Sequence, residues 1–237
     1  MDKVLRFSDY DVFAYIAAGL AAMLVCDFLI GSHWIIGANW GVSEGVAVVF
    51  GAYIAGHIVA WPAGWLIERI LVGRILGRPS AVLLTDAKVS RISMWKRWLF
   101  PDYFTPLDDG LRARAKAKAG TSNDLPDSFF WMAFADAKRD AATYARMESF
   151  LRLYGFCRNI AFVGLTGGLL SIVAVLIGGA RGMTLPTDRG LLWSLALLAG
   201  GAAALYRFLK FYRLYAVEVF VGYAATSQKE KSAANAD

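Results

Sequence analysis

The residue best suited to chemistry is His57, because an unperturbed imidazole titrates close to neutral pH. It lies near the middle of a long apolar stretch, where ionisable side chains are costly and often functional. At about 100° per residue, His57 shares one helical face with Gly64 and Glu68. This face is predicted to line a polar pathway, or else His57 bonds to Tyr15, to Ser171 or to another subunit. The second interpretation is favoured, since polar side chains inside membranes commonly bridge helices.

A second group with chemical potential is acidic and lies close to basic residues: Asp102, Asp108 and Asp109. Residues 109–114 read D-G-x-x-A-R, which resembles the signature of the CDP-alcohol phosphatidyltransferases, whose aspartates hold divalent metals. The resemblance fails upstream, where Pro106 stands in place of an aspartate, and the segment is a polar loop. A membrane-embedded enzyme acting on lipid headgroups is therefore kept only as an alternative.

The remaining motifs indicate neither a cofactor nor a metal site. The sequence contains no H-E-x-x-H motif, no glycine-rich phosphate loop and no Ser-His-Asp arrangement. Cys26 and Cys157 stand far apart in apolar surroundings, so we expect neither a disulfide framework nor metal ligation.

The composition predicts a membrane protein, because 57% of the residues are hydrophobic and only 19% are charged. Four apolar stretches cover residues 12–30, 46–67, 160–177 and 191–206, each close to the roughly 20 residues that cross a bilayer as a helix. We therefore predict an all-α membrane protein with four transmembrane helices, arranged as two hairpins with a helical cytoplasmic insert.

The distribution of Lys and Arg predicts the orientation of these spans. Residues 31–43 carry no Lys or Arg and residues 178–190 carry two, whereas residues 69–158 carry sixteen against nine acidic residues. We expect the insert and both termini in the cytoplasm, with the protein in a bacterial inner membrane.

Three segments follow from this topology. Residues 1–78 form the first hairpin with a cytoplasmic helix extension, residues 79–157 a basic helical domain, and residues 158–237 the second hairpin with a helix extension and a disordered tail. The second span is expected to continue as a helix to Leu76, with a kink at Pro62.

The insert and the last helix carry more detailed predictions. Residues 79–123 are expected to be irregular, and a helix entered through Pro126 is expected to lead almost directly into the third span. The last helix carries an apolar stripe that is predicted to pack in a cytoplasmic bundle: Leu205, Leu209, Tyr212, Ala216, Val219 and Tyr223.

A set of aromatic and basic side chains in the insert is predicted to contact the anionic inner leaflet of the bilayer. Its members are Trp95, Lys96, Arg97, Trp98, Arg112, Arg114, Lys116 and Lys118. An ordinary small core of the insert is the competing interpretation of the aromatic residues. Binding of nucleic acid is not expected, because a solvated basic face beside an anionic leaflet explains the charges.

Small residues on the second span form a ridge with a spacing of four: Ala52, Gly56, Ala60 and Gly64. Such ridges let helices approach closely, either within one chain or between subunits. A homo-oligomer is expected, because a water-filled path is built more easily by several four-span subunits than by one.

Three segments resemble those of uncharacterised bacterial inner-membrane proteins with four spans. They are the leader FSDYDVFAY, the stretch from Gly56-His57 through Glu68-Arg69 to Gly77-Arg78-Pro79, and Tyr154-Gly155-Phe156-Cys157-Arg158-Asn159. The resemblance covers most of the chain and implies no activity.

These observations favour a non-enzymatic, oligomeric membrane protein, whether a small channel, a membrane effector or a signalling anchor. Its cytoplasmic helical domain would bind a ligand or a cytoplasmic protein partner. That binding would change the conformation of the spans. The alternatives are the lipid-headgroup enzyme and a small-solute transporter that acts as a dimer.

Overall fold

The computed structural model describes residues 9–32, 34–37, 40–84, 94–119, 126–180 and 187–234. Every regular element in these ranges is a helix, which confirms the all-α fold class for this part of the chain. The α-helices are α1 (Asp9–Ile30), α2 (Trp34–Gly37), α3 (Val42–Ala63), α4 (Pro79–Leu84), α5 (Met94–Leu99), α6 (Asp109–Ala119), α7 (Pro126–Ala137), α8 (Ala141–Ala180) and α9 (Thr187–Ala234). A π-helical segment, Gly64–Leu76, continues α3, and a 3₁₀ turn covers Asp102–Phe104.

The chain divides into two compact units. The first unit contains Met1–Ile70 and Gly155–Phe208, and the second contains Leu71–Tyr154 and Leu209–Asp237. Helices α8 and α9 and the π-helical segment each contribute residues to both units. The second unit therefore combines most of the predicted insert with the later part of α9.

Three described helical stretches are long and apolar enough to cross a membrane: Val42–Leu84, Ala141–Ile177 and Gly190–Thr226. A further apolar stretch, Ala14–Ile30, is shorter. Length and composition thus indicate a membrane protein with three candidate spans among the described residues.

In the first unit, α1 and α3 pack so closely that their backbones touch. A Cβ atom at Gly19 on α1 would lie 1.7 Å from the carbonyl oxygen of Ala52 on α3. A Cβ atom at Gly56 would lie 2.0 Å from the carbonyl oxygen of Tyr15. Only glycine fits at these two positions, as expected where helices cross at small residues.

Helix α8 joins this pair to α9 through further glycines. A Cβ atom at Gly167 on α8 would lie 2.8 Å from a methyl group of Val25 on α1. A Cβ atom at Gly164 on α8 would lie 2.7 Å from the Cα atom of Gly201 on α9. The first unit is therefore a bundle in which α1 contacts both α3 and α8, and α8 contacts α9.

Close to Pro62, where the sequence predicts a kink, the helix changes type. Proline lacks the N–H that an α-helix needs, and local π-helical hydrogen bonding is one way in which a helix accommodates that loss. The π-helical segment begins two residues later, at Gly64, and ends at Leu76, as the sequence predicts. Gly77 then takes a φ of 92°, and its N–H donates to the carbonyl of Val72 at 2.8 Å.

The second unit has its own apolar core, to which α4, α6, α7, α8 and α9 contribute. The core residues are Leu83, Leu107, Ala115, Phe129, Ala133, Ala137, Met147, Tyr215, Ala216, Val219, Phe220 and Tyr223. The predicted stripe on α9 lies buried or half-buried along its whole length, which confirms that this face of α9 is packed, while its cytoplasmic location stays a prediction.

Two predictions for the middle of the chain are wrong. The described parts of residues 79–123 are largely helical, because α4, α5, the 3₁₀ turn and α6 lie within them. The helix that begins at Pro126 does not continue into the third span, since it ends at Ala137. Asp140 starts the next helix by accepting hydrogen bonds from the N–H of Thr143 at 3.0 Å and from its hydroxyl at 2.8 Å.

This break also changes which residues form the core. One uninterrupted helix from Pro126 would continue its apolar face through Tyr144 and Leu151, but both are exposed, whereas Thr143 and Met147 are buried. At the other end of the chain, α9 is helical to Ala234.

Candidate functional site

The surroundings of His57 are aromatic. Its ring stacks on Tyr15 with centroids 4.0 Å apart, and Tyr53 meets it edge-on at 4.6 Å. Among the described residues, neither ring nitrogen of His57 has a hydrogen-bond partner. Tyr15 is thus a neighbour, as the sequence suggests, but it contacts His57 through ring stacking and not through a hydrogen bond.

The second suggested partner, Ser171, does not reach His57 either. Ser171 is fully buried on α8, and its hydroxyl has no hydrogen-bond partner in the described part of the chain. His57 is exposed, between the exposed apolar side chains of Ile54 and Trp61 on the same face of α3. Of the three suggested partners, only another subunit is left as a hydrogen-bonding candidate.

The predicted face shared by His57, Gly64 and Glu68 is divided between two neighbours. A π-helix hydrogen-bonds from i to i+5 and winds more slowly than an α-helix, so counting by 100° fails from Gly64 onwards. Glu68 binds Arg158 on α8, and a Cβ atom at Gly64 would lie 3.6 Å from the same guanidinium. The structure therefore brings Gly64 and Glu68 together with Arg158 and leaves His57 with Tyr15.

The ion pair between Glu68 and Arg158 is the main polar cluster described in the first unit. Arg158 donates through Nη1 to Oε1 of Glu68 at 2.5 Å, and through Nε and Nη2 to Oδ1 of Asn159 at 3.1 Å. Both charged side chains are mostly buried, with 16% of Arg158 and 30% of Glu68 exposed. A charge-assisted contact of this kind fixes two helices side by side.

The residues of the small-residue ridge, from Ala52 to Gly64, have different neighbours. Ala52 and Gly56 are buried against α1, Ala60 is half-buried, and Gly64 leaves space for Arg158. The ridge thus serves packing within the chain at Ala52 and Gly56.

Asp27, near the C-terminal end of α1, has a structural role. It is buried, and its carboxylate accepts hydrogen bonds from the N–H groups of Trp34 at 3.0 Å and Ile35 at 3.1 Å. The hydroxyl of Ser32 also donates to it. Asp27 therefore ties the N-terminus of α2 back to α1.

In the second unit, the ammonium group of Lys118 contacts other side chains of the same unit. A lysine that binds the lipid leaflet would instead have to be exposed. Its ammonium pairs with Asp136 at 2.5 Å, donates to the hydroxyl of Thr226 at 2.6 Å and lies 4.5 Å from the ring centroid of Tyr223. Only 17% of the Lys118 side chain is exposed. This lysine therefore links α6 to α7 and α9 within the second unit.

The lysine also controls the ionisation of Asp136. Burial alone would raise the pKa of this carboxyl, but hydrogen bonds from Lys118 and Thr226 and the charges of Lys118 and Arg139 outweigh burial. The pKa of Asp136 consequently lies below its ordinary value of 3.8. Its ionised form stabilises the unit above that pH, and the contribution disappears as the pH falls through the lowered folded-state pKa.

We expect the change Lys118→Met to destabilise the second unit by about 2 kcal/mol, because it leaves the carboxylate of Asp136 without its main partner. The matched change on the same helix, Arg114→Met, removes an exposed cation and should cost under about 0.5 kcal/mol. Urea unfolding of the purified protein, followed by circular dichroism, measures both. Equal effects of the two changes would contradict the buried role of Lys118.

The other residues predicted to contact the leaflet differ from one another in their exposure to solvent. Arg112 is largely buried, with 12% of its side chain exposed, and pairs with Asp109, so it does not fit a solvated face. Arg114 and Lys116 are exposed, as are Trp95, Arg97 and Trp98, whereas Lys96 is half-buried. The aromatic residues Trp95 and Trp98 are therefore not part of a core.

All three acidic residues considered for metal binding already have interactions within the chain. Asp102 interacts electrostatically with Arg213. Asp108 accepts hydrogen bonds from the N–H groups of Gly110 at 2.9 Å and Leu111 at 3.3 Å, at the start of α6. Asp109 pairs with Arg112. Within the described ranges, no three His, Cys, Asp or Glu side chains come together in a group that could hold a metal ion.

Comparison with protein-family models, with curated proteins and with solved structures gave no match to this chain.

Proposed function

We propose that this chain is a non-enzymatic, self-associating protein of a bacterial inner membrane, with four spans formed by α1, α3 and the first-unit parts of α8 and α9. At 1.5 Å per residue, the apolar stretch Ala14–Ile30 of α1 extends roughly 25 Å, and the preceding turn of the same helix extends it towards the full thickness of the hydrocarbon, about 30 Å. Its packing against both α3 and α8 supports a fourth span beside the three longer ones.

The orientation in this proposal has the second unit and both termini in the cytoplasm. The support is the excess of basic residues in 69–158 and their absence from 31–43. A positive second unit would face the anionic leaflet of the inner membrane.

His57 is the observation that carries self-association. Its imidazole is exposed on α3 among apolar side chains and has no hydrogen-bond partner among the described residues. A polar group left unsatisfied in hydrocarbon costs several kcal/mol, which contact with a second copy would reduce. Subunits would therefore meet at this face of α3, where His57 would bond across the interface.

The proposed role is to couple an event in the second unit to the spans. Helices α8 and α9 contain 40 and 48 residues, roughly 60 and 72 Å, about twice the thickness of the hydrocarbon. Both contribute to the apolar bundle of the first unit and to the core of the second. A ligand or protein partner bound to the second unit would thus act on the same helices that cross the bilayer.

The change that tests self-association is His57→Phe, which keeps an aromatic ring against Tyr15 but removes both nitrogens. We expect wild-type protein in lipid nanodiscs or native-membrane vesicles to appear as an oligomer by native mass spectrometry. Loss of one hydrogen bond per contact, about 1 kcal/mol, should raise the dissociation constant about fivefold.

The control for this experiment is Leu176→Phe, which changes an exposed apolar residue on α8 and should leave the dissociation constant unchanged. A monomeric wild-type protein would overturn the proposal, as would a His57→Phe protein that assembles like the wild type. If the oligomer also conducts ions across a planar bilayer and His57→Phe alters that conductance, the function is that of a small channel.

A further inference from the structure

Helix α5 is an amphipathic helix whose apolar face is not covered by any residue that the structure describes. Its four apolar residues lie on one arc of the helix at spacings of one and four, and all are exposed: Met94 (86%), Trp95 (53%), Trp98 (82%) and Leu99 (48%). None of the six residues of α5 is buried. Soluble surfaces rarely present so much aromatic and aliphatic side chain together, and such patches mark contact with a membrane or a partner.

Two hydrogen bonds hold the segment around α5 at the end of the π-helical segment. The ammonium of Lys96 donates to the carbonyl of Ile75, and the hydroxyl of Tyr103 donates to the carbonyl of Gly77 at 2.7 Å. Tyr103 is buried, which raises the pKa of its hydroxyl, with a smaller contribution from Tyr212. The phenol therefore remains a neutral donor at physiological pH, and α5 is attached beside the last turn of that helix.

The length of the preceding helix places this attachment near the membrane surface. The 22 residues of α3 extend roughly 33 Å, which accounts for the hydrocarbon. A bilayer with its headgroups is about 40–45 Å thick, so one headgroup layer accounts for roughly 5–8 Å, and the later part of the 13-residue π-helical segment stands beyond it. Ile75 and Gly77 thus lie on the cytoplasmic side, within roughly 10 Å of the headgroups.

We propose that α5 lies in the headgroup region of the anionic inner leaflet, with Met94, Trp95, Trp98 and Leu99 inserted between the lipids. This inference rests on the proposed membrane topology. Trp side chains are suited to this depth, because the indole ring is apolar and its N–H remains accessible to polar groups. The exposed Arg97 supplies the charge that an anionic lipid attracts.

A free helix of six residues would bind a bilayer weakly, but α5 is not free. Its attachment to a membrane-spanning helix makes insertion an intramolecular step, so no translational entropy is lost. An anionic bilayer also explains why aromatic and basic residues occur together here, whereas a protein partner of unspecified charge would not require both.

The experiment places a fluorescent NBD label at Trp98→Cys in full-length protein that carries Cys26→Ala and Cys157→Ala. The protein is reconstituted into phosphatidylcholine vesicles with and without phosphatidylglycerol, and resistance to carbonate extraction shows that it is inserted. Lipids with a doxyl group near the headgroup test for lipid contact, and iodide tests for water. We expect strong quenching by the shallow doxyl lipid, weak quenching by iodide and a blue-shifted emission.

The charge contribution is tested by comparing Arg97→Gln with Arg139→Gln in the labelled protein. Loss of one cation near an anionic leaflet, about 1 kcal/mol, should shift the ratio of inserted to solvent-exposed label about fivefold for Arg97→Gln. Arg139 is exposed elsewhere in the second unit, and its substitution should not change that ratio.

Each other outcome overturns the inference. Quenching by iodide alone means that α5 lies in water, and shielding from both quenchers means that a second copy or another protein covers it. In both cases the carbonate-resistant protein would leave the proposed topology standing. A protein that is extracted by carbonate would instead contradict the topology itself.

Discussion

Replacing Gly19 by alanine is expected to destabilise the first unit by at least about 3 kcal/mol, at or above the usual range for overpacked cores. The added Cβ atom would lie 1.7 Å from the carbonyl oxygen of Ala52 and 2.5 Å from the backbone nitrogen of Gly56. Backbone atoms cannot rotate away as a flexible side chain can, so α1 and α3 must move apart. Thermal unfolding in detergent micelles, followed by circular dichroism, measures the loss.

Two other glycines provide controls for the same substitution. A Cβ atom at Gly45 on α3 or at Gly200 on α9 would meet nothing within 4 Å. Since alanine has a higher helix propensity than glycine, by roughly 1 kcal/mol, Gly45→Ala and Gly200→Ala should be neutral or stabilising. A Gly19→Ala protein that unfolds at the wild-type temperature would show that α1 and α3 are further apart than described.

The second large effect is expected at the ion pair between the π-helical segment and α8. Arg158→Met should cost about 3 kcal/mol, because it leaves the mostly buried carboxylate of Glu68 without its partner. The double change Glu68→Leu with Arg158→Met removes both charges and should recover most of that loss. Chemical denaturation of the single and double variants gives the coupling energy between the two positions.

An ion pair on the same helix serves as the comparison. Glu148 and Arg152 are spaced four apart on α8 and more of their side chains is exposed, with 40% and 28% accessible. Arg152→Met should therefore cost about 0.5 kcal/mol or less. If the two arginine variants lose equal stability, or if the double change recovers nothing, the pair does not hold these helices together.

The apolar patterns in the sequence predicted much of the fold because they report burial directly. The stripe on α9 from Leu205 to Tyr223 is buried or half-buried as expected, since a continuous helix keeps its 3.6-residue period. The same reasoning failed where the period was interrupted. The break before Asp140 moved the buried face from Tyr144 to Thr143, and the D-x-x-T pattern of an N-cap was the signal that could have shown it.

The sequence predicted some neighbours in the candidate site but not the geometry of their contacts. His57 and Tyr15 do come together, but the contact is a stacked pair that composition and spacing cannot distinguish from a hydrogen bond. Glu68 was placed on the face of His57 because a change from α- to π-helix is not visible in the sequence. Its partner Arg158 lies 90 residues away, and no local pattern connects the two.

The sequence also failed to show that Lys118 is mostly buried, for a different reason. Arg112, Arg114, Lys116 and Lys118 alternate along the sequence, which favours one shared solvated face. On a helix, residues two apart point in different directions, so the alternation spreads these side chains around α6. Arg112 and Lys118 consequently turn towards other parts of the unit, and Arg114 and Lys116 turn outwards.

The touching backbones of α1 and α3 restrict how the first unit can change shape. Because Gly19 and Gly56 each lie against peptide groups of the opposite helix, neither helix can slide or rotate without a steric clash. The pair must move as one rigid body, and hinge motions are confined to contacts made by side chains. The contact of Val25 with Gly167 is such a place. A change of shape in the first unit would therefore alter the angle between the α1–α3 pair and α8, while the pair itself stays fixed.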